Sequence, residues 1–199
     1  MVDLFAEALW AVRLPCTLAL LVPGFVPLVG GRRNGPLAVA FYILAAGVVF
    51  WLRSVGWFFD QPDGIIAVAA GIGIGIVALA MYRAPGRTSA IGGGGLIGAV
   101  SAWLWIPCVG THLGRLLNSS GDAIWTSAPS YGIYVAGVCA LLIVLAALPI
   151  AVPKFLSILD HEAFHKVGLG IGLTMAVVIG FGFYETIVGQ LLQWSLRIQ

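Results

Sequence analysis

The sequence predicts an all-α integral membrane protein with six transmembrane helices, arranged as two inverted three-helix repeats. Three observations lead to this fold class. The 199 residues are 60% hydrophobic and 9% charged, whereas a soluble domain carries roughly 25% charged residues. Six apolar segments are long enough to cross a bilayer, and short motifs recur in the two halves of the chain. This composition disfavours aqueous catalytic machinery and a nucleic-acid partner, and it makes the lipid bilayer the expected surroundings.

The six segments are defined by hydropathy, because a spanning helix needs about 20 mostly apolar residues. They cover residues 4–30, 37–59, 64–82, 90–117, 131–150 and 168–190. The N-terminal stretch "MVDLFAEALW" contains Asp3 and Glu7 but no basic residue. A secretory signal peptide begins with a positively charged region, so the first segment is expected to be a retained transmembrane helix.

Charge in the connecting loops predicts the orientation of the chain. The first, third and fifth loops carry the basic residues Arg32, Arg33, Arg83, Arg87, Lys154 and Lys166, whereas the second and fourth carry Asp60, Asp63 and Asp122 without Lys or Arg. Cytoplasmic loops are enriched in Lys and Arg. We therefore expect a multi-pass membrane protein with both termini extracytoplasmic, and Arg53 as an anchor at the interface.

The internal repeat divides the single membrane domain, residues 1–199, into repeat 1 (1–89) and repeat 2 (90–199). Aligning Pro15-Cys16 on Pro107-Cys108 places Tyr42 over Tyr134, and "GIGIGI" (71–76) has a counterpart in "GLGIGL" (168–173). A unit with three spans must be inverted in its second copy, which is the architecture of many transporters. The glycine runs lack the spacing of nucleotide-binding loops and are typical of close helix packing.

The two Pro-Cys pairs are the candidate site. Proline removes a backbone donor and clashes with the preceding turn, so Pro15 and Pro107 are expected to break helices 1 and 4 beside Cys16 and Cys108. Broken helices at membrane depth line cavities, and inverted symmetry would bring the two thiols to one depth.

Other residues near the two motifs are given supporting roles. Gly24 and Gly110 are expected to provide backbone freedom to helices 1 and 4. His112, one helical turn after Cys108, is expected either to favour the thiolate or to make a hydrogen bond in helix packing. Cys139 follows no proline and aligns with Gly47 rather than with another cysteine, so it is interpreted as a core residue.

Two segments resemble a known family. "PCTLALLVPGFVPLVGG" and "WIPCVGTHLGRLLN" resemble the signature segments of the cytochrome c biogenesis transmembrane family, the thiol–disulfide electron transporters CcdA and the membrane domain of DsbD. Family members carry Pro-Cys in the first and fourth of six helices and have outward termini, so the resemblance implies a multi-pass protein of the plasma membrane, the bacterial inner membrane. The chain departs from the common pattern at Ala19 and Thr111, where a second proline often follows the cysteine.

The resemblance implies a function. Cys16 and Cys108 would be the catalytic residues of a thiol–disulfide oxidoreductase, cycling between dithiol and disulfide. Cytoplasmic thioredoxin would reduce the pair, and the pair would reduce an extracytoplasmic thioredoxin-like protein that serves cytochrome c maturation or a related pathway. The exchange runs through a mixed disulfide, so no cofactor and no metal are expected.

Two other functions stay open at this point. "HEAFH" (161–165) matches the H-E-x-x-H pattern of zinc metalloproteases, although a catalytic zinc needs a third protein ligand, and Glu185 is expected near the opposite face of the membrane. Without a metal, the "HEAFH" motif is interpreted as part of a charged linker before the sixth span. Alternatively, the cysteine pair with His112 could carry a soft metal ion such as Cu(I) in a metal or small-solute transporter.

Overall fold

The computed structural model describes residues 8–9, 12, 17–54, 64–104, 124–151 and 161–198. Within these ranges the chain is helical, with no strand. Its helices are α1 (Leu18–Gly30), a 3₁₀ turn (Arg32–Asn34), α2 (Gly35–Ser54), α3 (Gly64–Arg83), α4 (Arg87–Leu104), α5 (Ile124–Val138), α6 (Ala140–Ala151), α7 (Glu162–Gly180) and α8 (Phe183–Ile198).

Three of these helices are long and apolar enough to span a membrane, namely Gly35–Arg53 within α2, α3 and α7. A fourth span arises if α5 and α6 are joined across a bend of 73°. The chain is therefore a membrane protein by length and composition of its helices. The six predicted spans are not confirmed, because α1 is only 13 residues long and α4 is not among the helices that qualify.

One predicted segment has the wrong boundaries, and another contains a bend. The sixth segment was expected at 168–190, but α7 begins at Glu162 and ends at Gly180. Gly182 has a positive φ of 73°, which ends the helix and starts α8 as a separate one. The "HEAFH" motif is consequently the start of α7 rather than a linker. The fifth segment, expected over 131–150, agrees with the bent pair Pro129–Val138 and Ala140–Ala151, which forms one span if joined across the bend.

Glycine allows the helices to approach closely. Helix α4 packs most extensively against α2, and a Cβ atom on Gly98 would lie 2.9 Å from the Cα atom of Tyr42. Helices α3 and α7 form the second large contact, where a Cβ on Gly172 would lie 2.6 Å from Ala78 Cβ. Because glycine has no Cβ atom, the two helices of each pair can approach closely at Gly98 and Gly172, as membrane helices with small residues at their interface commonly do.

The core lies between α1, α2, α4 and the bent pair α5–α6. Three tyrosines, Tyr42, Tyr131 and Tyr134, have no exposed surface there, and the ring of Phe50 lies edge-on to Tyr131 and stacked on Tyr134, with centroids 5.6 and 6.2 Å away. Large apolar side chains are exposed on the outside, for example Ile65 (88%) and Ile76 (62%) on α3. Apolar side chains thus occupy both the core and the outer surface, which a lipid environment permits.

Candidate functional site

The predicted redox pair lies outside the described residues. Cys16 with Pro15, and Cys108 with Pro107, Gly110 and His112, all fall in ranges 13–16 and 105–123 that the structure does not describe. Gly24 is the one predicted site residue within the described ranges. The geometry around the site is therefore given by the chain that adjoins it on either side: Thr17 and α1 follow Cys16, and α4 ends four residues before Cys108.

These two flanking helices converge on one place. The start of α1, at Leu18, lines a cavity of about 220 Å³ together with Ile179 of α7 and Tyr184 of α8. The end of α4, at Leu104, is buried in a small hydrophobic cluster with the same Ile179, against which Tyr184 also packs. Helices α1 and α4 also contact one another directly. One described end of each Pro-Cys segment, Leu18 after Cys16 and Leu104 before Cys108, thus lies near Ile179.

Gly24 lies inside α1, in a helix that continues through Pro23 and Pro27. A Cβ atom at this position would meet the end of the Leu142 side chain on α6 and would lie 3.3 Å from Cε1 of Tyr42. Positive φ values among the described glycines occur at Gly64 and Gly182. The structure therefore shows Gly24 as a point of close helix contact.

Tyr42 fixes α2 against α1 at the same level. Its buried hydroxyl donates a hydrogen bond to the carbonyl oxygen of Leu20, four residues after Cys16 in the chain. A phenol buried away from water requires such a partner. In the sequence, Tyr42 stands out only because it aligns with Tyr134 in the repeat, and its hydrogen bond to Leu20 was not predicted. The available signal was a tyrosine in the middle of an apolar span, whose hydroxyl needs a carbonyl on a neighbouring helix.

Cys139 is confirmed as a core residue, because it is fully buried and a free thiol. It lies at the bend between α5 and α6. Helical hydrogen bonds continue across it, since its N–H donates to the Val135 carbonyl at 2.9 Å and its carbonyl accepts from Ile143 N at 3.0 Å. Cys139 is thus held in place by its helix and sealed from water.

The "HEAFH" histidines form no metal site with the neighbours that the structure describes. His161 is exposed and caps α7, with its Nδ1 accepting a hydrogen bond from Ala163 N at 3.3 Å, whereas His165 is 3% exposed. Glu162 pairs with Lys166 at 2.9 Å on the surface. Among the described residues, no group of three or more His, Cys, Asp or Glu side chains is placed to hold a metal ion.

Arg53, expected as an anchor at the membrane interface, makes a hydrogen bond to a neighbouring helix. Its Nη1 donates to the carbonyl of Ala102 at 3.1 Å, in the last turn of α4. The guanidinium thus holds the last described turn of α4 to α2, two residues before Leu104.

Comparisons of the chain with protein-family models, with curated proteins and with solved structures find no match.

Proposed function

We propose that the protein carries reducing equivalents across a membrane by thiol–disulfide exchange between Cys16 and Cys108. The observation that carries the proposal is the recurrence of Pro-Cys in two apolar segments whose described neighbours, Leu18 and Leu104, converge on Ile179. Two cysteines can bridge only when their Cα atoms lie about 5.5–6 Å apart, and convergence of the adjoining helix ends favours such an approach.

The proposed reaction needs the two thiols and two partner proteins. A thiolate of reduced cytoplasmic thioredoxin attacks the Cys16–Cys108 disulfide, and its second thiol then resolves the mixed disulfide, so that two electrons and two protons pass to the cysteine pair. The pair next reduces a disulfide of an extracytoplasmic thioredoxin-like protein in the same way. Thioredoxin has a potential of about −270 mV, well below that of oxidising compartments, which sets the outward direction.

The inverted repeat would supply access from both sides of the membrane. Helices that the repeat makes equivalent pack on one another, since α2 contacts α5 and α3 contacts α7. Tyr42 and its repeat partner Tyr134 are both fully buried. Contacts between equivalent helices are what a pseudo-twofold axis through the bundle produces. They support two three-helix units. The orientation with both termini extracytoplasmic is proposed from the loop charges, and the bacterial inner membrane from the family resemblance.

The test is a thiol redox titration of the purified full-length protein in detergent, with reduced thioredoxin as the electron donor. Alkylation with a mass-shifting maleimide after denaturation counts free thiols at each step. We expect two thiols to appear together in the wild type, and Cys16→Ser or Cys108→Ser to abolish that transition or to trap a mixed disulfide with thioredoxin.

The matched control is Cys139→Ala. Because Cys139 is buried and lies at a helix bend, its replacement should leave the two-thiol transition in place. If the wild type keeps three free thiols at every potential, or thioredoxin changes nothing, the proposal fails. Metal analysis of the same samples then decides whether the cysteines bind a soft ion instead, which would appear as a stoichiometric metal lost in both serine variants.

A further inference from the structure

Helix α8 differs in character from the helices that span the membrane. At 100° per residue, its described apolar and polar side chains fall in two adjoining sectors of the helix. The apolar side includes Phe183, Tyr184, Ile187, Leu191 and Trp194, and the polar side includes Thr186, Gln193 and Arg197, with Gln190 at its edge beside Phe183. α8 is therefore amphipathic, whereas α3 and α7 are apolar over most of their circumference.

The apolar side of α8 is itself divided in two. Tyr184 and Leu191 are half-buried and line the 220 Å³ cavity with α1 and α7. Phe183, Ile187 and Trp194 form a neighbouring flank that is 58, 41 and 54% exposed. The bundle thus covers one edge of the apolar side, and the flank faces outward between that edge and the exposed polar side.

The beginning of α8 is placed at a membrane boundary by the helix before it. Helix α7 has 19 residues and rises about 28 Å, close to the thickness of about 30 Å of a bilayer core. It starts with the exposed Glu162–Lys166 ion pair and ends at Gly180. The turn that follows, Phe181–Gly182, lies beside Gly64, where α3 begins directly after the acidic stretch "DQPD" (60–63).

From this arrangement we infer that α8 lies in the membrane–water interface and binds the lipid surface through the flank formed by Phe183, Ile187 and Trp194. Amphipathic helices with aromatic residues on the apolar side take this position, and Trp is enriched at it. The polar side then faces water. A helix inserted across the bilayer would instead bring Thr186, Gln190 and Gln193 into hydrocarbon, where polar side chains are costly.

The inference is independent of the redox function and is tested on the full chain in phosphatidylcholine nanodiscs. In a background with the three cysteines replaced by serine, a spin label is attached at Ile187→Cys and Trp194→Cys on the flank and at Gln190→Cys and Gln193→Cys on the polar side. Ile72→Cys is the reference for a label deep in the bilayer, because Ile72 lies near the middle of α3 and its side chain is 58% exposed. Collision with oxygen and with a water-soluble nickel chelate gives the depth of each label.

We expect the nickel chelate to collide several-fold more with the Gln193 label than with the flank labels, and to an intermediate extent with the Gln190 label at the edge of the polar side. The flank labels should be clearly shallower than the Ile72 label. Equal depth at all four positions and at Ile72 would make α8 part of a span and would overturn the inference. So would flank labels shielded from both oxygen and the chelate, which would indicate cover by a second copy or another protein.

A second measurement avoids any change in the cysteines. Tryptophan fluorescence of the wild type is compared with that of Trp194→Phe in nanodiscs whose lipids are brominated near the headgroup or near the chain end. The difference spectrum isolates Trp194, and its quenching should be stronger with the shallow bromines. Stronger quenching by the deep bromines, or none by either, contradicts an interfacial α8.

Discussion

Gly98 of α4 and Gly24 of α1 both pack on Tyr42, but they meet different parts of it. A Cβ on Gly98 would be 2.9 Å from the Tyr42 Cα atom, and a Cβ on Gly24 would be 3.3 Å from the edge of its ring and against the end of the Leu142 side chain. Backbone atoms of a packed helix cannot move without the whole helix, whereas the end of a leucine can change rotamer. Two glycines that look alike in sequence therefore differ in how strictly glycine is required.

The largest expected effect is at the backbone contact. Gly98→Ala should force α4 away from α2 and lower the free energy of unfolding by about 3 kcal/mol or more, the upper part of the range for overpacked cores. SDS-induced unfolding in mixed micelles measures this. Loss of the folded monomer on size-exclusion chromatography would agree with it, and a change within the error of the wild type would refute the backbone contact.

Gly24→Ala should destabilise less, by about 1–2 kcal/mol, within the usual range for overpacking, because the Leu142 side chain can yield. The comparison is sharpened by the double variant Gly24→Ala with Leu142→Ala, which should be less destabilised than the sum of the single changes. Strict additivity in the same unfolding assay would show that Leu142 is not the obstacle. No side-chain truncation is expected to rescue Gly98→Ala in this way.

Tyr42→Phe should cost about 1 kcal/mol, the net value of a typical hydrogen bond, because the ring stays and only the bond to the Leu20 carbonyl is lost. Both glycine contacts are kept, so this variant separates the hydroxyl from the packing. Tyr82→Phe, a half-exposed tyrosine near the end of α3, is the control and should be neutral. Equal stability of the two variants would argue against the hydrogen bond.

The smallest effect, of opposite sign, is expected at Gly95. A Cβ there meets nothing within 4 Å, and alanine is favoured over glycine inside a helix by up to about 1 kcal/mol. Gly95→Ala should thus leave the protein as stable as the wild type or slightly more stable in the same titration, although it lies three residues from Gly98. Marked destabilisation would mean that α4 makes a contact on this side too.

Part of the candidate site could be predicted from the sequence. The Pro-Cys motifs and their repetition can be read directly from the sequence. Its composition predicts the membrane environment, and the lack of a preceding proline predicts the core position of Cys139. The contacts of Gly24 with Leu142 and of Tyr42 with Leu20 join residues that are distant along the chain. Hydropathy carries no information on which helices face each other, so these contacts could not be foreseen.

The sequence by itself determined that this is an apolar helical protein suited to a bilayer, because hydropathy and charge are sums over local residues. Tertiary structure decided where the helices end and bend. It placed a bend in the fifth segment at Cys139, and it ended α7 at Gly180 before the turn that contains Gly182. No proline stands at either position, so the local sequence does not predict these breaks. It also decided which glycines are indispensable, since that depends on what each one faces across a helix contact.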